Sequence, residues 1–376
     1  APPRRSAGRR LASITLRVLG IALLTFVLWS VDWRDAAKLT DGTVLRGAIV
    51  GEIPDDWGGD AAVLFRPADA PQDAAPRRLA AADLATEDVR GTAVPVVNEG
   101  LLRIVDRAQT GWMLFGFLLF GLTVKFGVVR WWLLLRDQGI RLTYWAAYRL
   151  TFIGFFFNNI VPGATGGDVV KAVYAARRTN RRAEAVMTVL VDRVVGIVAL
   201  ALIAAAVLLT RLGQPAYREL AIFIFGFLGC LAVAMIVFFS RTIRRLLRIE
   251  ELAARLPFGA LLRRVDGVAF MYRYQKRGLV VALLLSFANQ LAIQVVAVMF
   301  AHALHITTRA GEPVPIADYL VVLPAAWMVS ALPLLPGGWG VRESAFVVGF
   351  HLVGVARSPA IALSVSMGMN MLLWSL

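Results

Sequence analysis

The sequence predicts an all-α polytopic membrane protein with a small extracytoplasmic, β-rich insert after its first transmembrane helix. Of the 376 residues, 58% are hydrophobic and only 17% are charged, and the mean hydropathy is +0.67. Several apolar runs reach about 20 residues, the length of helix that crosses a hydrocarbon core of roughly 30 Å. The net charge of +15 is uneven, because residues 32–110 contain 14 acids and 9 bases. The excess of basic residues therefore flanks the apolar runs, as the positive-inside rule requires.

This distribution of charge argues against nucleic acid as a partner and favours the anionic lipids of the inner leaflet. The three histidines, His302, His305 and His351, show no metal-ligand spacing with acids or cysteine, so we expect no metal ion and no cofactor. The single cysteine, Cys230, cannot form an intramolecular disulfide. We interpret it as a small, buried apolar residue.

The first 31 residues combine a basic N-terminus with an apolar helix predicted at 11–31. No small-residue cleavage site follows this helix, so we interpret it as a retained span with a cytoplasmic N-terminus. Residues 32–108 then lie outside the membrane. Apolar and polar residues alternate at 43–50, which predicts short strands of a small module. The module is either a plain spacer or a docking site for an envelope partner.

Residues 109–376 are predicted to form the transmembrane domain. Its basic segment at 241–277 interleaves leucines with arginines, which is typical of an amphipathic helix on the inner leaflet. Six full spans are expected in the whole chain, at 11–31, 111–135, 185–210, 219–240, 279–304 and 358–376.

Several polar residues lie within the predicted spans. Lys125 is near the middle of its span, where we expect a polar cavity beside it, and Arg130 is expected to extend to the inner surface. Three amides, Asn289, Gln290 and Gln294, lie within two turns of one span. They predict interhelical hydrogen bonds or a wet helix face.

The first of two broken segments runs from Asn158 to Lys171 and carries amides, a Pro-Gly pair, a Gly-Gly pair, an acid and a base. Lipid cannot satisfy irregular backbone, so such a segment needs protein or a water-filled cavity around it. Its arms are predicted at 143–160 and 169–176, and the second arm is too short to cross. Basic residues flank the segment on both sides. We therefore predict a re-entrant hairpin with Pro162-Gly163 at its tip.

A second broken segment repeats this design near the other end of the sequence. Its arms are predicted at 317–332 and 341–354, with Pro336 and Gly337 at the tip. This segment would enter and leave the membrane from outside, and the first would do so from inside.

A span, a hairpin and a second span thus occur at 111–210 and again at 279–376, in opposite topologies. Inverted repeats with broken helices are the architecture of many secondary transporters. We expect Gly166-Gly167 and Gly338-Trp339-Gly340 to begin half-helices that present N–H groups to an anion. The two broken segments would face each other around a lipid head group.

The charged residues beside the tips allow a structural and a functional interpretation. Asp168 and Lys171, three residues apart, either pair to lock the hairpin or bind the head group, with Lys171 on a phosphate. Arg193 can bind a phosphate through two hydrogen bonds, and Asp192, about 100° away on the helix, is expected to have another partner. The same alternatives apply to Arg342-Glu343, whose carboxylate could also titrate. Asn158 and Asn159 would either donate hydrogen bonds to head-group oxygens or cap the broken backbone. The predicted substrate-binding residues are Lys125, Asn158, Asn159, Gly166, Gly167, Asp168, Lys171, Asp192, Arg193, Asn289, Gln290, Gly338, Gly340, Arg342 and Glu343.

Three motifs, in this order, resemble those of a known family. They are Asn159-x-x-Pro162-Gly163-x-x-Gly166-Gly167-Asp168, then Asp192-Arg193, then Pro336-Gly337-Gly338-x-Gly340-x-x-Glu343. The combination is similar to the flippase-like transmembrane region of lysylphosphatidylglycerol synthases and their stand-alone relatives. The resemblance covers residues 111–376 and implies a polytopic protein that moves phospholipids or polyprenyl-linked lipids between leaflets. The sequence shows no aminoacyl-transferase domain after the membrane region, so we do not expect lysyl transfer to lipid.

The preferred function is therefore translocation of a phospholipid or a polyprenyl-phosphate-linked lipid across a bacterial inner membrane, with no covalent product and no catalytic residue. One alternative is an integral-membrane transferase with a polyprenyl-phosphate donor, in which Asp32 or Asp35 would be the catalytic acid. Another is a non-transporting envelope scaffold whose module at 32–108 recruits partners. No P-loop is present, so we expect coupling to an ion gradient or to consumption of the substrate.

Overall fold

The computed structural model describes residues 32–54, 57, 61–71, 74–89, 92–160, 166–239, 276–331 and 339–375. The predicted span at 11–31 and nearly all of the basic segment 241–277 lie outside the described residues. So do the hairpin tips, with Pro162, Gly163, Pro336, Gly337 and Gly338. The chain divides into two compact units, which we call the first unit (Ala1–Phe117 with Val296–Met371) and the second unit (Leu118–Val295 with Leu372–Leu376).

The module in the first unit is built on a five-stranded antiparallel sheet. Buried and exposed positions alternate along its second strand, where Gly47 and Ile49 are buried while Arg46 and Ala48 are exposed, as expected of a strand with one face on a core. Ile49, Phe65 and Leu79 belong to the apolar core that this alternation creates. The strands of the sheet are β1 Asp35–Lys38, β2 Val44–Val50, β3 Ala62–Pro67, β4 Arg77–Ala80 and β7 Val97–Asn98. Their order in the sheet is β4-β3-β2-β1-β7. A separate antiparallel hairpin pairs β5 Thr86–Val89 with β6 Thr92–Pro95.

Asp35 fastens the sheet to a short helix, α1 (Leu101–Asp106). Its Oδ2 accepts the backbone N–H of Ile49 at 2.7 Å, and its Oδ1 accepts that of Gly100 at 2.6 Å. Arg103 of α1 lies 3.9 Å from Oδ2 and donates to the Ile49 carbonyl at 2.7 Å. Both oxygens of this buried carboxylate therefore have structural partners. The transferase alternative treats Asp35 as a candidate acid, but the structure uses the residue as an anchor.

Nine helices follow α1 in the described residues. They are α2 Thr110–Asp137, α3 Tyr144–Ile160, α4 Gly166–Arg177, α5 Arg182–Leu209, α6 Arg218–Phe239, α7 Lys276–Ala303, α8 Ile316–Ser330, α9 Val341–Leu352 and α10 Arg357–Ser375. Within the described part of the chain, the helices α2, α5, α6 and α7 are long and apolar enough to cross a membrane. They coincide with four of the six predicted spans. The last predicted span, at 358–376, forms α10, which is not among those four.

Helix α6 packs little against the rest of the chain. Only 11% of the residues in its apolar stretch are buried, and Cys230 on this helix is exposed. The expectation that Cys230 is buried in protein is therefore wrong. In a spanning helix the apolar surface can face lipid, so a small apolar residue there need not lie in a protein core.

The glycines of the broken segments begin helices, as the sequence predicts. Helix α4 starts at Gly166, and α9 follows Gly340, whose φ of 82° lies in the region that glycine adopts without strain. Helices α3 and α4 approach each other so closely that a Cβ on Gly167 would overlap the carbonyl oxygen of Gly154. The two arms of the first broken segment therefore pack backbone against backbone.

Candidate functional site

Five charged side chains from three helices come together in the second unit. They are Arg130 of α2, Asp168 and Lys171 of α4, and Asp192 and Arg193 of α5. We call these residues the charge cluster. It lies where the returning arm of the first broken segment packs on its neighbours. Four of its members are predicted site residues, and Arg130 is an addition.

Asp192 is the shared acceptor of the charge cluster. Its Oδ1 accepts the Nε–H of Arg130 at 2.7 Å, and its Oδ2 lies 3.6 Å from Nζ of Lys171. Arg130 and Lys171 are buried, and the Asp192 side chain is only 13% exposed. Two cations therefore share one carboxylate in a place that water hardly reaches, so the carboxylate offsets only one of their two positive charges.

Further contacts fix the two cations in position. Arg130 donates to Oγ of Ser286 on α7 at 2.7 Å, and its guanidinium fills the space beside Gly196 on α5. Lys171 holds its Nζ 3.9 Å from the centre of the Trp131 ring, a cation–π geometry. The indole of Trp131 donates in turn to Oγ1 of Thr188 at 3.2 Å. Residues of four helices thus hold the charge cluster.

The more accessible part of the charge cluster is the pair of Asp168 and Arg193. Their closest oxygen and nitrogen are 3.0 Å apart, and the side chains are 26% and 29% exposed. With three cations and two carboxylates, the charge cluster has a formal charge of +1. An anion that reached Arg193 would therefore meet a surplus positive charge, and guanidinium is well suited to bind phosphate oxygens in pairs.

One open interpretation and one expectation about these residues do not match the structure. Lys171 does not form the ion pair with Asp168 that the structural interpretation allows, because Asp192 on the neighbouring helix lies closer to the ammonium group, and Asp168 pairs with Arg193. Arg130 does not extend to the inner surface, because it is buried and bonded to Asp192. The sequence held one signal for this pairing: Asp192 needs a cation, and the adjacent Arg193 points elsewhere on the helix.

The start of α4 is capped by a side chain. Oδ1 of Asn158 accepts the N–H of Gly167 at 2.7 Å, and Gly166 and Gly167 are both buried. The sequence interpretation expects these N–H groups to be presented to an anion, and for Gly167 that expectation is wrong. Asn158 instead has the capping role that broken backbone requires. The side chain of Asn159 lies outside the described residues.

The second broken segment has its own charged pair, in the first unit. Nη2 of Arg342 lies 2.8 Å from Oε1 of Glu343, and Ser364 of α10 bonds to both side chains. Oε2 of Glu343 accepts the N–H of Gly340, which caps α9. Arg342 also lies 4.4 Å from the centre of the Trp339 ring. This buried pair is neutral, and the N–H at Gly340 bonds to Glu343, so it is not presented to an anion.

The remaining predicted site residues divide into two groups. Gln290 of α7 donates to the carbonyl of Gly196 at 3.1 Å, which places it beside the charge cluster and provides the expected interhelical hydrogen bond. Asn289 lies next to it on the same helix. Lys125 is exposed on α2, five residues before Arg130. The structure thus brings Gln290 to the charge cluster and leaves Lys125 on the surface of its helix.

The fold and the charge cluster together define a multi-pass α-helical membrane protein with ionised groups buried among its spans. The family model described as "Lysylphosphatidylglycerol synthase TM region" matches residues 96–373, and the chain belongs to this family. The match confirms the resemblance carried by the three motifs. The chain is also 25% identical to the "UPF0104 membrane protein PH1989" of Pyrococcus horikoshii, over 72% of this chain and 84% of that protein. No solved structure matches the chain significantly.

Proposed function

We propose that the protein binds the phosphate-bearing head group of a phospholipid or a polyprenyl-phosphate-linked lipid at the charge cluster and moves it between the leaflets of a bacterial-type inner membrane. The observation that carries the proposal is the formal charge of +1 on the charge cluster, with its most exposed cation at Arg193. Membership of a family described by a lipid synthase's membrane region supports a lipid-related role.

Charge neutralisation explains how binding at the charge cluster would help a charged head group to cross the membrane. A phosphodiester head group carries one negative charge, so its complex with the charge cluster would be formally neutral. Moving a charged group through a medium of low dielectric constant is strongly unfavourable unless the group is paired. In the complex, the phosphate would replace Asp168 as the partner of Arg193. The buried cations Lys171 and Arg130 would add positive charge on the interior side of the site.

We propose that the broken segments are re-entrant hairpins in two inverted repeats, with the N-terminus in the cytoplasm. Helices α4 and α9 have 12 residues each, so each is roughly 18 Å long. Neither is long enough for a hydrocarbon core of about 30 Å. Helix ends within the membrane need capping by protein, and Asn158 and Glu343 provide it.

The two alternatives to translocation have less support. Of the two acids that the transferase alternative names, Asp35 already accepts two backbone N–H groups, which leaves Asp32 as its candidate acid. The scaffold alternative gives no reason for a surplus positive charge buried among helices. Translocation accounts for both the charge cluster and the broken helices.

The test is leaflet movement of fluorescent lipids in proteoliposomes. Wild-type protein would be compared with Arg193→Gln, and with Arg182→Gln as a control, since Arg182 is an exposed arginine on the same helix. We expect wild type and Arg182→Gln to move a phosphate-bearing lipid, and Arg193→Gln to move it at least tenfold more slowly, as expected for loss of a charged hydrogen bond.

Either of two results would overturn the proposal. One is that wild type moves no phosphate-bearing lipid faster than empty liposomes do. The other is that Arg193→Gln moves lipid as fast as Arg182→Gln does. A new lipid species, detected by mass spectrometry after incubation with a polyprenyl-phosphate sugar, would instead support the transferase alternative.

A further inference from the structure

One face of α7 carries a row of polar side chains that begins at the charge cluster. Ser286, Gln290 and Gln294 follow one another at intervals of four residues, and Asn289 lies three residues after Ser286, so the four share one broad side of the helix. Ser286 accepts a hydrogen bond from Arg130, and Gln290 donates to the Gly196 carbonyl. We call these four residues the polar face of α7. It extends about 12 Å along the helix axis, from Ser286 to Gln294.

The far end of this face holds amide groups without hydrogen-bond partners. Gln294 is only 2% exposed, and neither its amide oxygen nor its amide nitrogen has a partner among the described residues. The buried Oδ1 of Asn289 likewise has no partner in the described part of the chain. Buried polar groups in proteins are nearly always hydrogen-bonded, because an unpaired one loses its water without replacement. These amides therefore have unused capacity to bind a polar ligand.

We propose that the polar face of α7 is a second binding position, which holds hydroxyl groups of the lipid whose phosphate is bound by the charge cluster. This inference rests on the proposed function and specifies its substrate class: a phosphate-linked lipid with a polyhydroxylated head group. An amide both donates and accepts hydrogen bonds, as a hydroxyl does. The face carries no ionised group, so a neutral polyol suits it better than an amine or a second phosphate.

Binding at this position requires a movement of α7. The amide atoms of Gln294 are packed away from solvent in the structure, so a head group can reach them only when α7 shifts from α2 and α5. The unpaired amides favour such a shift in the presence of a hydroxyl-bearing ligand.

The discriminating experiment compares two phosphate-bearing lipids with different head groups, each measured against wild type. Phosphatidic acid is a phosphomonoester without head-group hydroxyls, and phosphatidylinositol is a phosphodiester with a ring of hydroxyls. Binding of both is measured for wild type, for Gln294→Leu and for Val295→Ala, a control at an exposed neighbouring position of α7. We expect Gln294→Leu to weaken phosphatidylinositol about tenfold, as for the loss of one hydrogen bond, and to leave phosphatidic acid unchanged. Val295→Ala should affect neither lipid.

A second variant guards against a folding defect. Asn289→Leu should give the same selective loss.

The outcomes separate this inference from the proposed function. If Gln294→Leu weakens both lipids equally, or neither, the second binding position is wrong while lipid binding at the charge cluster stands. If wild type binds neither lipid, the proposed function fails and the inference fails with it.

Discussion

Replacing Asp192 with asparagine should be among the most damaging single substitutions in the second unit. The asparagine keeps the size of the side chain and an oxygen that can accept from Arg130. It removes the one carboxylate that Arg130 and Lys171 share, at 2.7 Å and 3.6 Å. The formal charge of the charge cluster rises from +1 to +2. All three side chains are at most 13% exposed, so solvent screens the unpaired cations little.

The expected loss of folding stability follows from the burial of these three side chains. Removing one partner of a buried ion pair typically destabilises a protein by about 3–5 kcal/mol, because an uncompensated charge stays behind. Removing a cation as well should recover part of this loss. We expect the double variant Lys171→Met with Asp192→Asn to be more stable than Asp192→Asn alone, with a coupling of about 0.5–3 kcal/mol.

Thermal unfolding in detergent, followed by tryptophan fluorescence, measures both effects. Glu184→Gln is the control, because it removes a carboxylate from the same helix outside the charge cluster, and its effect should stay within about 0.5 kcal/mol. The reasoning is refuted if Asp192→Asn unfolds at the wild-type temperature. It is also refuted if the effects of the two substitutions add in full.

Two further substitutions test the packing of the hairpin and the anchor of the module. Gly167→Ala should destabilise the protein by about 1–3 kcal/mol, because its Cβ would overlap the carbonyl of Gly154. The control is Gly127→Ala, where a Cβ meets nothing within 4 Å, and it should be neutral or stabilising in the same thermal assay. Equal effects of the two substitutions would contradict the close approach of α3 and α4. Asp35→Ala should leave two backbone N–H groups without their acceptor, at about 1–3 kcal/mol each. Limited proteolysis should then cut the module faster than in the exposed-site control Asp69→Ala, and equal rates of cutting would show that Asp35 is not an anchor.

The two broken segments use their charges in different ways. At the first, three cations and two carboxylates leave a surplus charge, and part of the cluster is reachable. At the second, Arg342 and Glu343 neutralise each other and are buried, with Ser364 bonded to both. We therefore expect Glu343 to matter chiefly for folding. For an anionic head group, the charge cluster is the better site.

Much of the fold could be predicted from local sequence. The membrane class follows from the length of the apolar runs, since a bilayer core sets that length. The alternation at 43–50 predicted β2, and the glycines predicted where α4 and α9 begin. Each of these features depends on neighbouring residues along the chain. The sequence also predicted which polar residues lie within the membrane domain, because charges inside apolar runs are rare and conspicuous.

The partners of those residues were decided only by the tertiary structure. Lys171 lies three residues from Asp168 but pairs with Asp192. Arg130 joins them from α2, 62 residues before Asp192 in the sequence. Asn158, which was a candidate ligand for a head group, caps Gly167 instead. Spacing along a helix determines which side chains share a face. Which other helix packs on that face, and at what height, depends on the packing of the whole chain, so local sequence determined the helices and tertiary packing determined the site.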